Sequence, residues 1–452
     1  MRDLRADLVR IYQASLAAAD PYASVLDKVS RSEDVLRVGA QSYPLDRYRH
    51  IHLLGAGKAC AAMARAVVDL LGDRLQGGVL VVRDLPEEGI ERVKVLQAGH
   101  PEPDDRGLEA ARQWIQYLEN ELSGEDLLLV LLSGGASALL PAPVEAISLA
   151  DKLETTRALL NSGATIHEIN TVRKHLSRLK GGRLLHHARG ATVVTLLVSD
   201  VVGDDPSTIA SGPTSPDPST FADCLEVIKR YRISPRIPET VLDYLHTATL
   251  SGKAAETLKE NDPLLRKVRY CLLSTNRKSL RTGAREAAAL GYRPLILSSS
   301  MQGNAADLAR FYVALVTEIL ASGHPLPAPC CLLSGGEATV RVTGPGKGGR
   351  NQEFALWCLR LTQSWKDQPA LFASVGSDGS DGPTDAAGAL VSPATRARVR
   401  ELQLPVGDYL ERNDSYHLFQ QLGDLIITGP TGTNVMDFHF ALVGNPPVAQ
   451  PS

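Results

Sequence analysis

The sequence predicts an α/β protein made of two α/β domains, with a largely parallel sheet in the first half and a mixed sheet in the second. Three observations carry this. Apolar runs of strand length alternate with helical patterns along most of the chain. The strongest runs are unbroken by polar residues, as expected of strands buried on both faces. The 452 residues exceed one ordinary core, and a stretch rich in breakers interrupts the pattern near the middle.

In the first half, His52–Leu54 reads as a strand ending in Gly55-Ala56-Gly57-Lys58, followed by a helix over Ala59–Leu71. Strands Gly78–Val82 and Val93–Gln97 come next, the second leading into Gly99-His100-Pro101-Glu102-Pro103. After a helix from about 107 to 122, the strand Asp126–Leu132 ends in Ser133-Gly134-Gly135, and Ala191–Val198 ends in Ser199-Asp200. Breakers and a polar tract over Pro235–Pro263 mark the junction, so the domains are expected at 1–240 and 241–452.

In the second half the expected order is strand Arg269–Ser274, helix Lys278–Leu290, strand Arg293–Leu297 and a helix from Asn304 to Ser322. Strands Cys330–Leu333, Ala338–Val342, Ala370–Val375 and Asp424–Thr428 follow, and Phe438–Val443 closes the sheet, with a C-terminal hairpin expected. Ser133-Gly134-Gly135-Ala136-Ser137 is echoed by Ser334-Gly335-Gly336-Glu337-Ala338. The echo reads either as one turn solution used twice or as two anion-facing loops, one per domain.

Composition narrows the function. A formal net charge of −3 supplies no basic field for nucleic acid. No run of 18 apolar residues is present, and the amphipathic segment Met1–Leu16 lacks the apolar centre of a signal peptide, so a surface helix of a cytoplasmic protein is expected, with no membrane partner. The six cysteines show no C-x-x-C spacing and form no disulfide framework, which suits inert thiols in a reducing compartment.

Function is sought at the strand ends, because open α/β sheets bind ligands outside the carboxyl ends of their strands. Gly55 and Gly57 let the backbone turn into a helix N-terminus, where amides stabilise an anion and Lys58 adds a point charge. The segment is neither a P-loop nor a dinucleotide fingerprint, since His52, Ala59 and Cys60 occupy positions those motifs reserve for other residues. Ser133, Gly134, Gly135 and Ser137 offer small residues and hydroxyls for close approach of a phosphate or carboxylate. Arg173 and Lys174 lead a basic cluster that ends at Arg183, and they lie nearest its polar helix start. Asp200 ends a strand and can take a proton from a hydroxyl or hold Mg²⁺. Asp204, Ser211 and Gly212 follow in the same loop. Gly344–Glu353 reads as a flexible basic lid with Arg350 at its base, a planar cation suited to a carboxylate or phosphate. Asp378, Asp381 and Asp385 follow another strand and could bind Mg²⁺. Cations, amide-rich turns and carboxylates together fit phosphoryl transfer, without identifying the acceptor.

Nine segments in this order, Gly55–Ala59, Gly99–Pro103, Leu132–Leu139, Asn170–Leu184, Ser199–Pro216, Ser334–Thr339, Gly348–Glu353, Gly376–Gly388 and Thr428–Asp437, resemble the class II glycerate kinases, whose C-terminal half is the MOFRL domain. The resemblance spans nearly the whole chain. It implies an N-terminal Rossmann-like α/β domain, a C-terminal MOFRL α/β domain and an active site in the cleft between them. It implies ATP and Mg²⁺ as cofactors, D-glycerate as acceptor and, usually, 2-phosphoglycerate as product; a monomer or homodimer is expected. It assigns functional, here catalytic, roles to Lys58, Asp200 and Arg350, while Glu337, Asn351 and Glu353 are expected to bind substrate or phosphate beside the loop residues already named. Asp200, Asp204 and Asp378 are the expected metal ligands.

Two other classes compete with the kinase reading. A nicotinamide-dependent hydroxypyruvate reductase would use the same small acid, but neither Gly-rich loop is a convincing dinucleotide fingerprint. A non-catalytic sensor of an acidic metabolite would not carry so many carboxylates at its strand ends.

Overall fold

The computed structural model describes residues 3–251, 256–366 and 368–445. The chain forms two compact units: residues 21–273, and residues 1–20 together with 274–452. The division differs from the expected boundary at 240 in two ways. The junction falls at 273, and the first helix, Leu4–Ala17, belongs with the second half. Part of the tract expected as the junction, 252–255, lies outside the described residues.

Unit 21–273 opens with a small antiparallel sheet that the sequence reading missed: β1 (Val29–Ser32), β2 (Val35–Val38) and β3 (Gln41–Pro44). Its main sheet comprises β4 (Ile51–Ala56), β5 (Leu75–Val82), β6 (Val93–Gln97), β7 (Leu127–Leu132), β8 (Thr192–Val198) and β9 (Val268–Ser274). The order across the sheet is β6-β5-β4-β7-β8-β9, and β4 to β8 pair in parallel. Every residue of β4 and β7 is buried, as the unbroken apolar sequence of β7 demands; β4 includes one polar residue, His52.

Helix Asp105–Glu121 shows how local sequence builds the layers. Asp104 caps it by accepting the Gly107 amide at 3.0 Å. Its apolar stripe, Ala110, Ala111, Trp114, Ile115 and Leu118, packs into the same core as Leu54, Val79, Leu128 and Val130. A second core in this unit is helical, formed by Ile169 and Val172 with Phe221, Val227, Ile228, Val241 and Leu245.

The other unit holds β10 (Arg293–Asn304), β11 (Cys330–Thr339), β12 (Ala370–Gly376), β13 (Gly388–Val391), β14 (Leu425–Ile426) and β15 (Asp437–Val443), in the order β10-β11-β15-β12-β13-β14. The sheet is mixed: β10 and β11 are parallel and the other pairs antiparallel. β15 is central, inserted between β11 and β12, and not one arm of a C-terminal hairpin. Helix Leu4–Ala17 packs on helix Asn276–Ala289, where Gly283 leaves room for Ser15. Arg5 binds Asp424 at 2.9 Å, and Tyr292 donates to Asp7 at 2.7 Å.

The echo between the two Ser-Gly-Gly segments is not structural. Ser133–Gly135 forms a strand-to-helix turn, whereas Ser334–Gly336 runs inside β11, paired residue for residue with His439, Phe438 and Asp437. A Cβ on Gly335 or Gly336 would collide with Asn276 or with the Met301 backbone, so these glycines serve close packing. Five of the six cysteines are buried, and burial pushes the Cys60 thiol up to about 12. Among the described residues, no helix is long and apolar enough to cross a membrane.

Candidate active site

In unit 21–273 the chain runs from β4 outward to β5 and β6, then crosses back to β7 on the other side of β4. The boundary between β4 and β7 is therefore a topological switch point, where loops diverge and leave a crevice. The loops after Ala56 and Leu132, opposite one another in the parallel register, meet there. Lys58 N–H donates to Gly134 O at 2.9 Å, Ala59 N–H to Ser133 Oγ at 3.0 Å, and Ser133 N–H to Ala56 O at 3.2 Å. Gly57 has φ +132°, and a Cβ there would collide with Ser133 Oγ, so only glycine permits this approach. Gly135 adopts a left-handed φ of +90°, and the face a side chain would occupy is taken by His100 and the Lys58 stem. Lys58, His100 and the Gly134-Gly135 turn thus converge.

A third loop joins them. Ser137 Oγ and Ser211 Oγ are 2.7 Å apart, and Ser211 donates to Asn170 Oδ1 at 3.2 Å. Ala210, Ser211 and Gly212 all have positive φ, at 55°, 60° and 60°. Two of them are non-glycine, so the loop is strained, and amides from Gly181 and Gly182 hold it through the carbonyls of Ser211 and Gly212. Strain of this kind is retained mainly where loop geometry matters to function. Arg173 is half-buried on the helix that carries Asn170, and burial lowers its guanidinium from the ordinary arginine value.

Several expectations within this unit change. Gly55 lies inside β4, where a Cβ would meet Leu80 at 2.5 Å and Leu131 at 3.2 Å; it serves strand packing and not an anion turn. The Ser133 hydroxyl is spent on the Ala59 amide, so Ser133 shapes the Lys58 loop. Lys174 is buried and paired with Asp217 at 3.3 Å, which makes it a structural cation. Asp200 follows β8 and is half-buried, and Asp204 lies in the same loop at φ 57°.

In the other unit, helix Arg350–Leu361 begins at a cavity of about 280 Å³ lined by Arg350, Ser377, Asp378, Asp381, Asn434 and Asp437 among others. Arg350 binds Asp437 with two donors, Nε to Oδ2 at 2.6 Å and Nη2 to Oδ1 at 3.0 Å, and Glu337 with Nη1 at 2.6 Å. Asp381 accepts the amides of Asn351 (3.1 Å) and Gln352 (2.9 Å), which tethers the first turn of the helix. Asn351 Nδ2 bridges Asp381 and Asp437, and Ser374 and His439 stand behind it. Burial pushes the Asp381 carboxyl up to about 6. It also raises Asp437, against the pull of the Arg350 guanidinium.

Arg350 is thus bracketed by two carboxylates, Asp437 and Glu337, and Asn351 helps to position Asp437. Glu353 does not line the cavity. It is buried beside Trp357 and Asn413, and burial pushes its carboxyl up to about 7. The loop expected as a flexible lid is tied down: Thr343 and Gly344 amides bind Asn413, Lys347 N–H binds Asp414, and Lys347 Nζ lies 4.2 Å from the Tyr416 ring centroid. Asp200 and Asp204 belong to one unit and Asp378 to the other, so neither unit holds the expected three-carboxylate metal set. What the second unit does present is Asp378 with Asp381, Asp437, Ser377, Ser380 and Asn434 about one cavity, a set of hard oxygen donors that fits Mg²⁺.

Sequence reasoning passed over His100 and Asp437 as site residues, and named Asp381 only as one of three acids that could bind Mg²⁺. The signal for Asp437 was available: an acid opens a mostly apolar buried strand, where an unpaired charge is costly.

Comparison with known proteins agrees with this architecture. Residues 7–246 match a domain of unknown function, DUF4147, and residues 330–437 match the MOFRL family. A glycerate 2-kinase of Pyrococcus horikoshii is 40% identical over 98% of this chain and 98% of its own. A putative hydroxypyruvate reductase of Agrobacterium vitis is 39% identical over 97% of this chain and 94% of its own. The crystal structure of a Thermotoga maritima glycerate kinase superposes with a TM-score of 0.84 at 36% identity, covering 97% of this chain and 99% of that one. The knitted loops of the first module and the Arg350 cluster of the second therefore stand on a shared scaffold: this chain belongs to the class II glycerate kinase family.

Proposed function

We propose that the chain transfers the γ-phosphoryl group of ATP to D-glycerate, giving 2-phosphoglycerate and ADP, as a cytoplasmic monomer or homodimer. The observation that carries this reading is the meeting of the Lys58 loop with the Ser133–Ser137 turn at the switch point of the parallel sheet. That arrangement offers a lysine and left-handed, amide-exposing turns to an anion. Lys58, with His100 beside it, binds the glycerate carboxylate or the transferring phosphoryl group. Arg173 adds positive charge from the neighbouring helix. Asp200 takes the proton of the attacking hydroxyl.

In the second unit Arg350 orients Asp437 and opposes the effect of its burial, and the more exposed Glu337 is the partner Arg350 can exchange for substrate. Asp378, with Asp437 and Asp381 beside it, would hold Mg²⁺, which supplies charge neutralisation to the polyphosphate.

The test is an assay of the purified protein with D-glycerate, ATP and Mg²⁺, following ADP and identifying the product by ³¹P NMR. A 2-phosphoglycerate signal is expected. A 3-phosphoglycerate signal would keep the kinase and overturn the position of transfer. No phosphorylated product, together with NADH oxidation on hydroxypyruvate, would replace the kinase with the reductase.

A further inference from the structure

At the opposite end of β4 and β7 from the Lys58 loop lies a group of side chains that phosphoryl transfer does not use. His50 immediately precedes β4, His52 lies within it, and Asp126 immediately precedes β7. Strand pairing brings them together: Ile51 is opposite Leu127, and Leu127 N–H donates to His50 O at 3.0 Å. His50 Nδ1 stands 3.6 Å from Asp126 Oδ1, and His52 Nε2 stands 3.9 Å from Asp126 Oδ2. One ligand atom from each of the three lies within 4.8 Å of the others, and among the described residues this is the group of three or more such side chains that does so.

A histidine serving only the core would have both ring nitrogens satisfied. His52 is 1% exposed, with Nδ1 held 2.8 Å from the Tyr117 hydroxyl, yet its buried Nε2 has no hydrogen-bond partner. That nitrogen is turned toward a carboxylate at a distance too long for a hydrogen bond. An orphaned buried group of this kind costs about 1–3 kcal/mol, which a bound cation would offset. Outer contacts are in place as well. Tyr117 fixes the His52 ring, while the amides of His50 (3.0 Å) and Ser123 (2.7 Å) and the Ser123 hydroxyl (2.8 Å) fix Asp126. Tetrahedral bonds of about 2.0–2.1 Å place ligand atoms roughly 3.3 Å apart, so a group whose ligand atoms lie within 4.8 Å of one another must close by up to about 1.5 Å. The His50 side chain, 36% exposed, gives the freedom for that and a route to solvent.

We infer that His50, His52 and Asp126 form a binding site for a transition-metal ion of the Zn²⁺ class, with water completing its shell. Two imidazoles and one carboxylate select such an ion over Mg²⁺, which prefers oxygen. The bound ion clips together the entry ends of the two strands whose exit ends carry Lys58 and Ser133.

The test uses the full chain, stripped with chelator and returned to buffer with excess Mg²⁺ to fill the oxygen sites. Calorimetric titration with Zn²⁺ should show one ion per chain, and Zn²⁺ should raise the unfolding temperature. His50→Asn, at a partly exposed position, should fold and lose both effects. His52→Gln should lose them as well, and Tyr117→Phe should weaken binding about 10- to 100-fold. The site is refuted if the parent protein binds no Zn²⁺ in Mg²⁺ buffer. It is equally refuted if folded His50→Asn binds with the parent's stoichiometry and affinity.

Discussion

The hydroxyl of Ser133 accepts the backbone amide of Ala59 at 3.0 Å, so the loop after one strand is shaped by a side chain from the loop after its neighbour. Ser133→Ala should cost about 1 kcal/mol of stability, the usual loss for such a bond. Activity should fall further than that loss explains, because the misplaced group is Lys58. Steady-state kinetics beside a urea melt separates the two effects; a variant with unchanged kcat/KM would show that the bond is merely architectural.

Lys58 and Lys174 should behave in opposite ways. Lys58→Ala should keep the melting temperature and lower kcat/KM by about 10²–10³-fold, the scale for removing one positioned electrostatic group. Lys174→Met leaves Asp217 buried without its cation, so it should lower the melting temperature and leave the folded fraction active. Melting curves and initial rates on both proteins decide the matter, and the reverse pattern would exchange the two roles.

Breaking the Arg350–Asp437 pair should be costly because Asp437 is 1% exposed. Removing one partner of a fully buried pair costs about 3–5 kcal/mol, and the third of Arg350 that faces solvent should bring the loss toward or below the low end. Arg350→Ala with Asp437→Asn should be more stable than the sum of the single losses predicts. A double-mutant cycle by denaturant unfolding measures this, and strict additivity would mean that the two side chains do not interact.

Glu353 predicts a pH dependence. Its folded carboxyl is raised from 4.5 to about 7, so between those values the folded state binds more protons than the unfolded state. Stability should therefore fall as pH rises from 4.5 to about 7, by up to about 3 kcal/mol, and level off above. Glu353→Gln should flatten that slope and gain stability above pH 7. Chemical denaturation at several pH values tests it; equal slopes in the two proteins would reject the assignment.

The parallel sheet was legible because each buried strand announces itself locally. Leu127–Leu132 needs no context to be read as a strand covered on both faces. The loops that follow were legible for the same reason, since Gly and Ser after such a run have few other uses. What escaped was non-local. Ser334-Gly335-Gly336 has nearly the same letters as the turn at Ser133, but β15, a hundred residues later, pairs with it and turns a loop into strand. Lys174 and Arg173 are neighbours in sequence, and only the position of Asp217 separates the structural cation from the site candidate. The roles of Asp381 and Asp437 depend on their meeting one helix start, which spacing along the chain does not reveal.

Helix Leu4–Ala17 packs with elements that begin at residue 274. On the ribosome that helix is made before the segments it packs on and must wait for them, while residues 21–273 form a continuous unit that can fold as it appears. The half that carries Lys58 is thus positioned to mature early, and the half that carries Arg350 later, because it unites a helix from before residue 21 with segments from after residue 273.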